Sequence, residues 1–208
     1  MDALLVRCLI GCALLAGTSA YAGERGSQFT SFAGFDLGAP TLGQVADKLG
    51  AAKLVETGDG AEYTASICYR TPFGLVYFLS GEMGGQEHDL LGFGIGESDS
   101  TKAKVCASWP SSRAVPDLSI GGIYLGMSKA AFASAVSSDV HWENEVAHVF
   151  FESKRFMTQA EVNSQPQQVR QMIQRGETQS YFDVDISLTA TFRDGKLVEL
   201  SSWKIESM

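Results

Sequence analysis

Tyr181-Phe182-Asp183-Val184-Asp185-Ile186-Ser187-Leu188-Thr189-Ala190-Thr191-Phe192 alternates without a break. Successive side chains of a strand point to opposite faces, so Phe182, Val184, Ile186, Leu188, Ala190 and Phe192 share one side. Tyr181, Asp183, Asp185, Ser187, Thr189 and Thr191 share the other. A strand with one apolar and one wet face belongs to an antiparallel sheet covered on one side only. Arg193-Asp194-Gly195-Lys196 reads as the turn into a last strand over 197–206. Upstream, 140–143 and 147–154 read as two more strands. Earlier still come short β-like runs at 52–56, 62–70, 75–80 and 90–95, with Gly58-Asp59-Gly60 as a turn between the first two. In 62–70, Tyr63, Ala65, Ile67 and Tyr69 face one way, and Cys68 points away from that apolar side.

Each group of strands follows a short amphipathic helix. Thr41 is placed to cap a helix in which Leu42, Val45, Ala46 and Leu49 recur at i, i+3, i+4 and i+7, and Gly50 stops it. Ser128 is placed to cap a second helix over 129–137, with Phe132, Ala133, Ala135 and Val136 as its apolar stripe. Phe35-Asp36-Leu37-Gly38 precedes the first cap and Ile123-Tyr124-Leu125-Gly126-Met127 the second, with Pro40 as one extra residue in the first copy. The expected fold class is therefore α+β, two repeats of a short helix plus a three- to four-stranded antiparallel meander. The first repeat spans 23–98, a linker rich in Ser, Asp, Pro and Lys spans 99–118, and the second repeat spans 119–208. An insertion at 157–180 interrupts the second repeat. Thr158 and Glu161 have capping-box spacing and Pro166 can open a further helical stretch to Gln174, so a polar surface arm is expected.

Residues 1–22 carry one basic residue, Arg7, an apolar run from Cys8 to Ala16, and the small-x-small ending Ser19-Ala20-Tyr21-Ala22. That layout predicts a secretory signal peptide cleaved before Gly23. Leu9-Ile10-Gly11-Cys12 offers the alternative of a lipid anchor on Cys12, a poorer fit because the apolar run continues beyond it. No run approaches the length of a membrane span, so no transmembrane span is expected. Without the leader, only Cys68 and Cys106 remain of four Cys, and an even pair in an exported chain predicts a disulfide. A periplasmic or secreted protein follows. The chain has 208 residues, 45% of them apolar and 19% charged, which excludes a disordered acidic tail and a polytopic membrane protein. Its 16 basic against 24 acidic residues give a net charge of −8, which argues against a nucleic-acid partner.

The pattern Leu37-Gly38…Thr41…Leu49-Gly50, echoed in Leu125-Gly126…Ser128, resembles one superfamily. It contains the β-lactamase-inhibitory proteins and the small outer-membrane assembly lipoproteins of the SmpA/OmlA type. The resemblance covers most of 35–208 and implies tandem helix-plus-sheet units, a bacterial envelope setting and a non-enzymatic, protein-binding role. It brings across no catalytic residue, cofactor or target. The second unit departs from the pattern, because Ser137-Ser138 stands where a glycine would close the helix.

Candidate chemistry is sparse. His88, His141 and His148 show no metal-ligand spacing. Glu87-His88-Asp89 follows the glycine-rich Gly81-Glu82-Met83-Gly84-Gly85, and this loop is either a binding or acid–base site or a solvated hairpin tip. Asp183 and Asp185 share a strand face and are read as its wetting residues rather than a catalytic pair. Neither a Gly-x-Ser-x-Gly elbow nor a phosphate-binding loop occurs, and no helix follows Gly92-Phe93-Gly94-Ile95-Gly96. No catalytic residue, cofactor or metal is therefore expected. The expected function is protein binding, in its sharper form an inhibitor or immunity factor for a basic exported enzyme, since an acidic surface speeds encounter with a basic one. An envelope-assembly accessory and an enzyme or metal-binding protein using the loop 82–89 are the alternatives. Candidate binding-surface residues are Glu82, Glu87, His88, Tyr69, Tyr124, Trp142 and Tyr181, with Tyr63 and Trp203 as further aromatic candidates.

Overall fold

The computed structural model describes residues 26–98 and 102–208; the leader expected at 1–22, the lipid-anchor alternative at Cys12 and residues 99–101 lie outside the described residues. A small hairpin, β1 (Ser31–Phe32) and β2 (Phe35–Asp36), leads into α1 (Leu42–Leu49). The strands β3 (Val55–Thr57), β4 (Thr64–Thr71), β5 (Gly74–Gly81) and β6 (Gly92–Gly96) follow, then the short β7 (Ala107–Ser108). A second small hairpin, β8 (Ser119–Ile120) and β9 (Ile123–Tyr124), leads into α2 (Lys129–Val136). Then come β10 (His141–Glu143), β11 (Val146–Phe156), α3 (Gln159–Ser164), α4 (Gln167–Gln174), β12 (Tyr181–Arg193) and β13 (Lys196–Ser207). The fold is α+β and mostly antiparallel. None of the described helices is long and apolar enough to cross a membrane.

One nine-stranded sheet dominates, in the order β10-β11-β12-β13-β6-β5-β4-β3, with β7 added in parallel to the end of β4. The seam is the antiparallel pairing of β13 with β6, which sets Leu200 opposite Ile95 and Ser202 opposite Phe93. Both small hairpins and both early helices lie on the same face of the sheet. Their side chains and the inward rows of the strands form one apolar cluster, from Leu42 and Val45 through Phe78 and Phe93 to Val184, Ile186 and Leu188. Phe93 packs within 5.7 Å of Phe32 and 6.1 Å of Phe78, and Phe29 within 5.5 Å of Phe151. Ser202, fully buried, donates from Oγ to the carbonyl of Phe29 at 2.8 Å, so a polar side chain inside the core is satisfied by the first described turn of the chain.

The helix ends follow from local chemistry. Thr41 Oγ1 accepts from the Gln44 N–H at 3.3 Å, and the Gln44 side-chain oxygen accepts from the Thr41 N–H at 3.1 Å, closing a capping box. Ser128 Oγ accepts from the Ala131 N–H at 3.2 Å. The two helix entries are tied to the sheet alike. Gly38, at φ 81°, donates to the Leu90 carbonyl at 2.7 Å, and Gly126, at φ 84°, donates to the Leu197 carbonyl at 2.7 Å. Leu90 and Leu197 donate back to the carbonyls of Pro40 and Met127 at 2.8 and 2.9 Å. The exits differ. Gly50 ends α1 at φ 95°, a backbone that glycine adopts freely, whereas Ser137 ends α2 in the left-handed region at φ 48°.

The arm between β11 and β12 is helical, with Thr158 and Glu161 forming the expected capping box, and no residue of α3 or α4 is fully buried. It is held to the sheet by Arg155. The guanidinium reaches Glu161 at 2.9 and 3.1 Å and Glu206 at 2.6 Å, and Lys204 lies 2.7 Å from Glu206. Hydrogen bonds from Arg155, and then from the Thr158 backbone and hydroxyl, pull the Glu161 carboxyl down to about 2. Burial opposes ionisation of Glu206, but hydrogen bonds from Arg155 and Lys204 outweigh it and hold that carboxyl below its ordinary value.

Two outcomes follow from these contacts. The folded-state carboxyls titrate below their unfolded values, so their contribution is present above the ordinary carboxylate range and is lost as pH falls through about 2 for Glu161. Amide exchange in 157–180 is expected to quicken selectively as pH drops below that range, once corrected for intrinsic rates, and to be already fast in Arg155→Ala at neutral pH. Ser137→Gly is expected to stabilise the protein by up to about 1 kcal/mol by removing the left-handed penalty, read as a shift in urea midpoint at unchanged slope.

Candidate binding face

The strand register that buries Val184, Ile186 and Leu188 sets a second set of side chains on the opposite face. Across its middle, Phe150, Ser187, Trp203, Gly92, Leu79 and Ser66 stand opposite one another from β11 to β4. The neighbouring row runs His148, Thr189, Ser201, Gly94, Tyr77 and Cys68. Towards the arm lie Glu152, Asp185 and Ile205, then Lys154 and Asp183, then Phe156 and Tyr181. Among the described residues, one short 3-10 turn, Lys102–Lys104, lies over the Cys68 end of this face.

The face is sculpted by glycine. Gly92, Gly94 and Gly96 all project onto it, so β6 forms a bare lane down the middle of the sheet. Two aromatic rings lie across the lane. A Cβ at Gly92 would come within 2.9 Å of the Trp203 ring, and one at Gly94 within 3.2 Å of Tyr77. Beside Tyr77 the segment 102–106 lies over the face, pinned by the Cys68–Cys106 disulfide across 38 residues of sequence with Cα atoms 4.8 Å apart. Arg70 reinforces it, donating to the Ala103 carbonyl at 3.0 Å and to Ser108 Oγ at 3.3 Å. Val55, Tyr77, Leu79, Gly94, Val105 and the disulfide enclose an apolar recess of about 290 Å³, with Glu199 at its side.

Further exposed apolar groups lie to one side of this recess, on β11 and β13. Phe150 is 64% and Phe156 74% exposed, Ile205 is exposed, and Trp203 is partly so. Glu152, Asp185 and Glu199 are exposed acids on the same face. Lys154, the basic group among them, donates to the Tyr181 hydroxyl at 2.9 Å and sits 4.2 Å from its ring centre, which raises the lysine pKa.

The residues singled out from sequence are divided by the structure. Tyr181 stands on the open face. Tyr69 does not: it shares the covered side with Ala65 and Ile67, is fully buried against Phe78 and Trp109, and donates its hydroxyl to the Gly50 carbonyl at 2.6 Å. Burial pushes its phenol up to about 12. The alternation in 62–70 already placed it with the apolar set, so its assignment as a surface anchor is corrected. Trp142 also lies on the covered side, opposite Ala147, and closes the core edge over Phe192 at 5.4 Å and Phe132 at 6.3 Å. Tyr124 is 52% exposed at the far hairpin, beside the exposed Phe73 and Val115.

Glu82, Glu87 and His88 occupy the turn between β5 and β6, with the two glutamates exposed. Gly84 is buried in that turn, where a Cβ would fall 2.1 Å from Ser80 Oγ. His88, at φ 53°, lends its carbonyl to the Leu42 N–H at 2.9 Å and stacks on Tyr63 with ring centres 6.3 Å apart. Its Nε2 lies 3.9 Å from Glu56, which also accepts from the Tyr63 hydroxyl. That hydrogen bond raises the Tyr63 phenol. His88 therefore braces the start of α1 rather than standing out in solution. Among the described residues, no group of three or more His, Cys, Asp or Glu side chains is placed to hold a metal ion.

Sequence reasoning missed Phe150, Phe156 and Ile205, and the glycine lane. The signal was there for Phe150: Ala147, Val149 and Phe151 alternate with His148, Glu152 and Lys154, which sets Phe150 in the wet row.

Removing the disulfide by Cys68→Ala with Cys106→Ala is expected to cost about 3–4 kcal/mol on the chain-entropy view, measured as a lower urea midpoint. The segment around 102–109 should then lose amide protection before the rest of the sheet. The chain matches no known protein family, no curated protein and no solved structure.

Proposed function

We propose that this chain is an exported, non-enzymatic protein-binding module whose uncovered sheet face receives a protruding segment of a basic partner, as an inhibitor or immunity factor does. The observation that carries the reading is the face itself. A broad sheet bears exposed Phe150, Phe156 and Ile205, partly exposed Trp203 and an apolar recess, interspersed with acids. Exposed aromatic side chains on a protein-binding face usually carry most of its binding energy. Export is supported by the disulfide and by the leader pattern of 1–22.

The architecture is read as an internal duplication of a helix-plus-meander unit, akin to that of the inhibitory-protein superfamily it resembles. Support comes from the matching pairs Gly38–Leu90 and Gly126–Leu197, from the return bonds at Pro40 and Met127, and from the sheet order. That order places the last strand of each group, β6 and β13, side by side.

The test is capture on the immobilised, oxidised protein from envelope and secreted fractions, eluted by a salt step. A basic enzyme released by salt, inhibited by the protein in its own assay, and bound at least about tenfold more weakly by Trp203→Ala and Phe150→Ala is the expected result. Binding unaffected by both variants would remove the open face from the mechanism. Recovery of outer-membrane assembly proteins would favour an accessory role in the envelope.

A further inference from the structure

β11 is eleven residues long, yet its outer neighbour β10 pairs with it only at Val146, Ala147 and His148. On its inner side β11 pairs with β12 throughout. From 149 to 156 it therefore forms an edge of the sheet among the described residues, and an edge of that length is a template for a further strand. The side chains it presents on the open face are Phe150, Glu152, Lys154 and Phe156, all exposed. Read in reverse, that order is aromatic, cation, anion, aromatic: the set is its own complement.

We propose that β11 pairs antiparallel with β11 of a second copy of this chain, across a twofold axis beside Ser153. In that register Phe150 stands opposite the partner's Phe156, and Glu152 opposite the partner's Lys154. The twofold repeats both contacts, as an isologous interface requires. Opposed aromatic pairs and opposite charges are the contacts that stabilise neighbouring strands. The register is selective. A slip that moves the axis to Glu152 sets two glutamates face to face, and one that moves it to Lys154 sets two lysines face to face. Moving the axis to a point between residues turns one copy's open face onto the other's covered face.

A second observation points the same way. Within one chain Glu152 lies directly across from Asp185, a like-charge pair that disfavours the sheet. The partner's Lys154, arriving on the other side of Glu152, offsets it. Beyond Phe156 the ladder with β12 runs on to Met157, whose N–H bonds the Ser180 carbonyl at 2.9 Å, and the chain leaves the strand for α3 at Thr158, the first position that would meet the partner's β10. The inference does not depend on the function proposed above.

The test is sedimentation equilibrium on the full chain expressed with its native amino terminus, at tens of micromolar. The wild type is expected to be a dimer. Glu152→Lys and Lys154→Glu, each of which sets like charges opposite one another twice, are expected to weaken it at least about tenfold. The double variant E152K/K154E restores opposite charges and should regain the dimer. Thermal melts report whether each variant is folded; if a reversal unfolds the chain, Glu152→Gln replaces it and is expected to weaken the dimer less. A wild-type monomer, a dimer unmoved by either single reversal, or a double variant that stays monomeric overturns the proposal.

Discussion

The pairing of β13 with β6 is the contact on which the rest depends. Without it the chain would hold two narrow sheets, each with its own helix and too little apolar surface to enclose. With it, Leu200 beside Ile95 and Ser202 beside Phe93 join the inward rows into one cluster that neither half could bury alone. The same seam decides the other face. β6 contributes no side chains beyond hydrogen there, so the joint is also the thinnest line of the sheet, and Trp203 and Tyr77 fold down over it from either side. Aromatic rings laid on strand glycines restore packing that the glycines forgo.

The two faces differ in a way that follows from coverage. The covered face takes the helices and the hairpins; Tyr69 is fully buried in it, and Trp142 packs over Phe192 at its edge while remaining 37% exposed. The uncovered face keeps its aromatics at the surface among carboxylates. The disulfide adds a wall rather than a core: Cys68 points to the open face, and its bond to Cys106 brings a polar connection back over the sheet to shape a recess.

What could be read from the sequence is what is decided locally. The alternation of 181–192, the caps at Thr41, Ser128 and Thr158, and the stop at Gly50 rest on neighbours within a few residues, and each is present in the structure. The Cys68 side of β4 was legible for the same reason. What was not legible depends on partners distant in sequence. That β13 meets β6 is written in no local pattern, and neither is which side of β11 is left without a neighbour from 149 onward among the described residues. The loop 82–89 looked chemically crowded because three polar residues are adjacent. In space the main chain of His88 holds α1 and its ring stacks on Tyr63, with Nε2 3.9 Å from Glu56 and Nδ1 buried without a hydrogen-bond partner among the described residues.

The hydrogen bond from Ser202 to the Phe29 carbonyl carries a temporal meaning as well. It joins the first described turn to the last strand, and Phe29 also needs Phe151 beside it. Closure over such separations is slow, because the entropy of a long loop must be lost before the contact can reward it. An emerging amino-terminal half can form α1 and the β4–β5 hairpin, but its β6 edge and the Phe29 turn stay unmatched until β13 arrives. Closure of the sheet therefore waits on its last strand, and a chain cut short before Lys196 would be left with the bare glycine lane as a raw edge.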